Sequence, residues 1–375
     1  MSYDKSVLYG NESAAFRLRG LYRRFGYTQY KMNKFEEYDL YVRNKDFLIS
    51  DHVITFTDTN GRLLALKPDV TLSIIKNGKD APGAVQKVYY HENVYRISDR
   101  TGAFQEIMQV GLECIGNVDD YCVLEVLSLA ARSLAAISDR AVLDVSHLGL
   151  LSAVLDSLLV PESTRAALLS AIGEKNLHEL TALCVAADVT AQKTALLREL
   201  CTLQGTPDAV MPRLVALLSG TVPVEMLASF SRQMTALTKA GLGNIVRVDF
   251  SVVGDMGYYN GIVFKGFVEG VPTGVLSGGQ YDKLMQKMGR SSSAIGFAVY
   301  LDLLERLSAE PRSYDGDALV LYRAEDDPAA LAAALECLTA DGTTALAARE
   351  MPAGLRFRRY YRLNGEEGTL DEIHA

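Results

Sequence analysis

The chain changes character twice. From about residue 120 to 240 leucine and alanine dominate at helical spacing, with Gly173, Gly205 and Pro207 marking breaks, whereas the stretches on either side are patterned like strands. Two β-rich portions around a helical stretch are accommodated by one interrupted sheet. The pattern therefore predicts an α+β fold, an antiparallel sheet flanked by helices with a helical insertion over residues 150–240. Residues 1–312 are expected to form this core, and 313–375 a small C-terminal α/β segment read as strand 318–322, helix 329–338 and strand 343–347. A length of 375 residues is ample for more than one folding unit.

Within the first β-rich portion, Ala14, Ala15, Phe16, Leu18, Leu21, Tyr22 and Phe25 recur at helical intervals between arginines, predicting an amphipathic helix over 11–25 that ends at Gly26. The runs 52–58 and 63–66 flank Thr59-Asn60-Gly61, a strong hairpin signal. Lys67-Pro68-Asp69 breaks the second run, and Val70–Ile75 opens a helix. Val85–Arg96 and Ala103–Ile115 read as an antiparallel pair joined by the polar loop 98–102. After the insertion, strands are expected at 245–253, 261–267 and 275–279, followed by a helix from Ile295.

The net charge of -8 argues against broad nucleic-acid binding, which needs a basic surface. Arg356, Arg358, Arg359 and Arg362, interleaved with Phe357, Tyr360 and Tyr361, read as a solvated edge strand or helix. The five cysteines, Cys114, Cys122, Cys184, Cys201 and Cys337, are scattered, as expected of reduced thiols in a cytoplasmic protein. No apolar run reaches the roughly 20 residues that cross a bilayer, so no membrane association is expected. His52, His91, His147, His178 and His374 lack partners at metal-ligand or nucleophile spacing. Neither a metal nor a cofactor is expected.

Alternation along residues 109–113 puts Gln109, Gly111 and Glu113 on one face of a strand, with Val110 and Leu112 on the other. A face of polar and glycine residues suits a floor where a ligand lies close to the backbone, though an ordinary solvated sheet gives the same pattern. The glycine-framed tyrosine segments Gly257-Tyr258-Tyr259-Asn260-Gly261 and Gly278-Gly279-Gln280-Tyr281-Asp282 read as bulges or pocket walls.

In order along the chain, these segments resemble the catalytic core of histidyl-tRNA synthetase, a class II aminoacyl-tRNA synthetase, over residues 10–308. Leu66-Lys67-Pro68-Asp69-Val70-Thr71 is similar to that family's Leu-Arg-Pro-Glu-Gly-Thr segment. Val94-Tyr95-Arg96 and Ile107–Glu113 resemble its motif 2, the two tyrosine segments its histidine-specific segments, and Ala294–Leu303 its motif 3. The resemblance implies a histidine pocket. Asp69 and Thr71 would receive the α-amino group, Gln109 the backbone end of the amino acid, and Glu113 and Tyr259 the imidazole, with Tyr281 as a wall.

Positions that serve ATP in the family have changed. Leu303 stands at the motif 3 arginine, Tyr300 at its glycine, and Gly254 at the arginine that holds carboxylate and phosphate. Ser98 replaces the motif 2 glutamate, and Gln105 stands where the loop usually has an arginine, leaving Arg96 of the main phosphate-binding arginines. Loss of one such electrostatic contact typically costs about 3 kcal/mol of transition-state stabilisation, so aminoacylation is not expected. Asn33 at the motif 1 proline, the inserted helices and too short a tail for a complete anticodon-binding domain are similar instead to a paralogue group, the regulatory subunits of ATP phosphoribosyltransferase.

That resemblance implies no catalysis by the chain itself, assembly with a short-form ATP phosphoribosyltransferase catalytic subunit as a homodimer within a hetero-octamer, and feedback by histidine. The homodimer would form around Arg17–Asp39. Histidine would sit either in the synthetase-like pocket or at a subunit interface. Two other readings stand beside it: a truncated histidine-activating ligase, and a synthetase-like dimerisation module with another partner.

Overall fold

The computed structural model describes residues 10–44, 53–78, 83–98, 101–254, 258–307, 314–364 and 369–373. The chain divides into two compact units, residues 1–308 and 309–375. Within the first, nine strands form one sheet in the order Thr28–Gln29, Val85–Ile97, Phe104–Gly116, Ser293–Tyr300, Leu276–Gln280, Ile262–Val268, Ala141–His147, Val246–Asp249 and Gln204–Gly205. Pairing is antiparallel from Val85–Ile97 across to Ala141–His147. The sheet is mixed because Thr28–Gln29 joins one side in parallel and Val246–Asp249 the other.

The first helix, Gly10–Arg24, buries Ala14, Ala15, Leu18, Leu21 and Tyr22, the apolar face that the spacing predicted. It ends as Gly26 turns to φ +83, a conformation open to glycine at little cost. Thr55–Thr57 and Leu63–Leu66 pair antiparallel beyond the Asn-Gly turn, and Phe35–Glu37 completes a second, three-stranded sheet. His52, at the start of the expected first strand, lies outside the described residues.

The leucine-rich region folds as helices Leu148–Asp156, Glu162–Gly173, Leu177–Ala186, Ala191–Thr202, Pro207–Leu218 and Val224–Lys239. It also contributes the short strand Gln204–Gly205, which pairs with Val246–Asp249. Its buried leucines, including Leu168, Leu180, Leu197 and Leu214, share one hydrophobic core with the sheet and with the helix Asp120–Ile137.

The expected helix from Ile295 is overturned. Residues from Ile295 do not start a helix; Ser293–Tyr300 is a strand in the middle of the sheet, and a 3-10 helix, Leu301–Leu307, follows it. Ala294, Ile295, Phe297 and Val299 are all buried, so both faces are covered and the alternation that marks a half-exposed strand is lost. Gly296 fixes the packing: a Cβ there would lie 1.7 Å from Glu113 Oε2.

The second unit is a four-stranded sheet in the order Ala345–Ala348, Gly316–Leu321, Phe357–Asn364, Thr369–Ile373, with the helix Pro328–Thr339. Leu331, Leu335 and Leu338 of that helix pack against Ala318, Val320 and Tyr361. The arginine-rich run is an interior strand, paired with Gly316–Leu321 on one side and Thr369–Ile373 on the other, rather than an edge. Arg356, Arg358, Arg359 and Arg362 are exposed along it.

Candidate ligand pocket

Strand alternation delivers the pocket floor. Gln109 and Glu113 project from Phe104–Gly116 and are nearly inaccessible, and register puts Glu113 opposite Gly296, Gly111 opposite Ala298 and Gln109 opposite Tyr300. The small residues leave space above the sheet. Tyr90 closes one wall, since a Cβ on Gly111 would meet its hydroxyl at 2.4 Å. Tyr258 packs edge-on against Tyr259 at 4.6 Å and lies tilted against Tyr281 at 5.8 Å, forming an aromatic wall.

Asp69, Thr71, Arg96, Gln109, Glu113, Tyr259 and Tyr281, the seven residues singled out in the sequence, all line one cavity of about 200 Å³. Tyr90, Tyr258, Ser277, Gly296, Phe297 and Ala298 line it too. Tyr90 had a signal in the sequence, as the cross-strand partner of Gly111, but reading it required the register of two long strands. Gly257, at the start of one tyrosine segment, lies outside the described residues.

The electrostatics of the cavity centre on Glu113. Thr71 Oγ1 donates to its Oε1 at 2.9 Å and Tyr281 Oη to its Oε2 at 2.5 Å. Burial outweighs those two neutral donors and pushes the carboxyl up to about 8. At neutral pH Glu113 is therefore mostly protonated, able to donate as well as accept. Burial also raises Asp69, against the pull of the Leu72 amide, which donates to its Oδ1 at 2.9 Å, and of the Arg96 charge. Two carboxyl groups disfavoured as isolated anions make a pocket that gains when a cation enters it.

Arg96 is anchored by its Nε, which donates to the Pro68 carbonyl at 3.1 Å. Below it, Lys67 is buried and pairs with Glu92 at 2.5 Å, holding the Lys67-Pro68-Asp69 bend against the strand. Tyr300 fills the cavity end beside Arg96; burial raises its phenol, and Arg96 works against that rise by charge and hydrogen bond. Leu303 packs against the main hydrophobic core. Asp302 Oδ2 accepts from the Met108 amide at 2.9 Å, tying this segment to the long hairpin.

The family model for histidyl-tRNA synthetase matches residues 8–304. The ATP phosphoribosyltransferase regulatory subunit of Moorella thermoacetica is 30% identical over 341 residues, 87% of this chain and 85% of that one. The chain belongs to the histidyl-tRNA synthetase family, on its ATP phosphoribosyltransferase regulatory-subunit branch. The fold of this family is shared with two solved structures. One is an ATP phosphoribosyltransferase regulatory subunit/histidyl-tRNA synthetase from Bacillus halodurans, with TM-score 0.72 and 22% identity over 90% of this chain and 88% of that chain. The other is a chain of the ATP phosphoribosyl transferase (HisG:HisZ) complex from Thermotoga maritima, with TM-score 0.61 and 18% identity over 80% of this chain and 98% of that chain.

Other sequence candidates have structural roles or fall outside the pocket. His147 Nδ1 accepts from the Leu150 amide at 3.3 Å, capping Leu148–Asp156, and burial depresses its ring to about 4. His91 and His178 do not line the cavity, and His374 lies outside the described residues. Among the described residues, no helix is long and apolar enough to cross a membrane.

Proposed function

We infer that this chain is the non-catalytic regulatory subunit of an ATP phosphoribosyltransferase, required for activity and for histidine feedback at the first step of histidine biosynthesis, and that its pocket receives histidine. The observation that carries this reading is an asymmetry within one cavity. The amino-acid side keeps a hydrogen-bonded constellation, Glu113 with Thr71 and Tyr281, beside Asp69, Gln109 and Tyr259. At the other end Tyr300 and Gly254 line the cavity and Leu303 lies against the core, where the family has its glycine and two arginines, so a site built to bind lacks what stabilises phosphoryl charge.

The partner is a short-form catalytic phosphoribosyltransferase chain, with this chain as a homodimer inside a hetero-octamer in the cytoplasm. A named complex of that kind among the structures sharing this fold supports the pairing. Feedback then requires histidine to favour one state of the assembly, a coupling of about 1 to 3 kcal/mol in typical allosteric systems. Calorimetric titration of histidine into wild type and Glu113→Ala tests the pocket. The reading expects binding to wild type and a loss of at least about tenfold in the variant; equal affinities would move histidine to another surface.

A further inference from the structure

A second cavity, of about 410 Å³, adjoins the first: Gly254 and Ser277 line both. Gly254 has φ +53, and a Cβ there would come within 3.1 Å of Val263 Cγ2 and 3.4 Å of Tyr259 Cδ2, so a side chain there would crowd the space where the two linings meet. The sheet register extends the same floor. Ala298 lies opposite Ser277, and Ser277 opposite Lys265, so Lys265 is the next residue along a row that begins in the first cavity.

Lys265 is exposed, lines the second cavity and has no ion pair among the described residues. Its Nζ rests 5.7 Å from the Phe267 ring centroid. Asp144, the cross-strand neighbour on its other side, answers to the charges of Asp249, Arg247 and Lys175. Glu174 also lines the second cavity, exposed and accepting from Ser170 Oγ at 3.2 Å. In the first cavity Arg96 is the one cationic side chain among the described lining residues, and Pro68, Asp69 and Tyr300 already engage it.

An amino acid brings an ammonium group and a carboxylate. The first meets Asp69 beside Thr71, leaving Glu113 to the ring; the second needs a cation that the first cavity does not have to spare. We propose that the two cavities form one ligand site with a sill at Gly254 and Ser277, and that Lys265 swings from Phe267 over Ser277 to take the ligand's carboxylate. This rests on the histidine reading of the first cavity and specifies which end of the amino acid points toward the inserted helices.

Calorimetry with L-histidine and with L-histidinol, whose CH2OH replaces the carboxylate, tests the assignment on the full chain. Lys265→Ala should weaken histidine about tenfold and histidinol by less than about twofold, and Lys265→Arg should restore most of the histidine affinity. The assignment is overturned if Lys265→Ala leaves histidine unchanged, if it weakens both compounds equally, or if Arg96→Gln alone abolishes the preference for histidine over histidinol. A wild-type chain that binds neither compound overturns the histidine reading itself and this assignment with it.

Discussion

The protonation state of Glu113 makes the pH dependence of histidine binding a sharp test of the pocket. Free Glu113 holds its proton up to about pH 8, and a free imidazole is neutral above about 6.5. In the complex, carboxyl and ring share one proton, whichever atom carries it. Between those two values the free partners already hold one proton between them, so binding neither takes up nor releases any and affinity is flat. Above pH 8 the free carboxylate must recover a proton, and affinity falls about tenfold, or about 1.4 kcal/mol, per pH unit. Below 6.5 one of two protons must leave, giving an opposite limb. Glu113→Gln does not titrate, so the ratio of wild-type to variant affinity cancels the titration of the ligand's own amine. Calorimetry from pH 7 to 9.5 should show that ratio falling about fivefold from pH 8 to 9 and approaching tenfold per unit above that. A constant ratio over this range would refute the claim that a buried, protonated Glu113 contacts the ring.

Three further outcomes follow from the same geometry. Glu113 loses its proton near 4.5 when unfolded and near 8 when folded, so its contribution to stability is complete below the first value and is lost as pH rises through the second, a change of a few kcal/mol at most; urea melts should find Glu113→Gln gaining on wild type as pH rises from 5 to 9, and parallel profiles would contradict this. Lys67→Ala leaves Glu92 without its cation beside a buried site and should cost about 3 to 5 kcal/mol in denaturant unfolding, whereas a cost under about 1 kcal/mol would show the pair to be solvated. Gly296→Ala puts a methyl group onto the Glu113 carboxyl; it should destabilise by about 1 to 3 kcal/mol and abolish histidine binding, and retained affinity would mean that Glu113 is not the contact.

Local signals carried much of the fold. The helix Gly10–Arg24, the hairpin around Asn60-Gly61 and the long pair Val85–Ile97 with Phe104–Gly116 each announce themselves by period or turn chemistry. The pocket residues were legible because five segments occur in one order, more information than any single glycine or tyrosine provides. What escaped depends on long-range pairing. Ser293–Tyr300 reads as a helix start because burial on both faces erases alternation. The interior position of Phe357–Asn364 is invisible in a run of arginines, because its neighbours come from residues 316–321 and 369–373. Tyr90 and Lys265 reach the cavities through register, a property of strand pairs rather than of either strand.

The central claim is that this chain regulates a phosphoribosyltransferase and does not activate histidine. The direct measurement is phosphoribosyl transfer from phosphoribosyl pyrophosphate to ATP by a short-form catalytic chain, assayed alone, with this chain, and with this chain plus histidine. The account predicts that this chain raises the rate, that histidine lowers it again, and that the chain alone gives no histidine-dependent ATP–pyrophosphate exchange. Unchanged transferase activity on adding this chain, together with robust exchange by the chain alone, would contradict it and restore Tyr300, Leu303 and Gly254 to a working synthetase site.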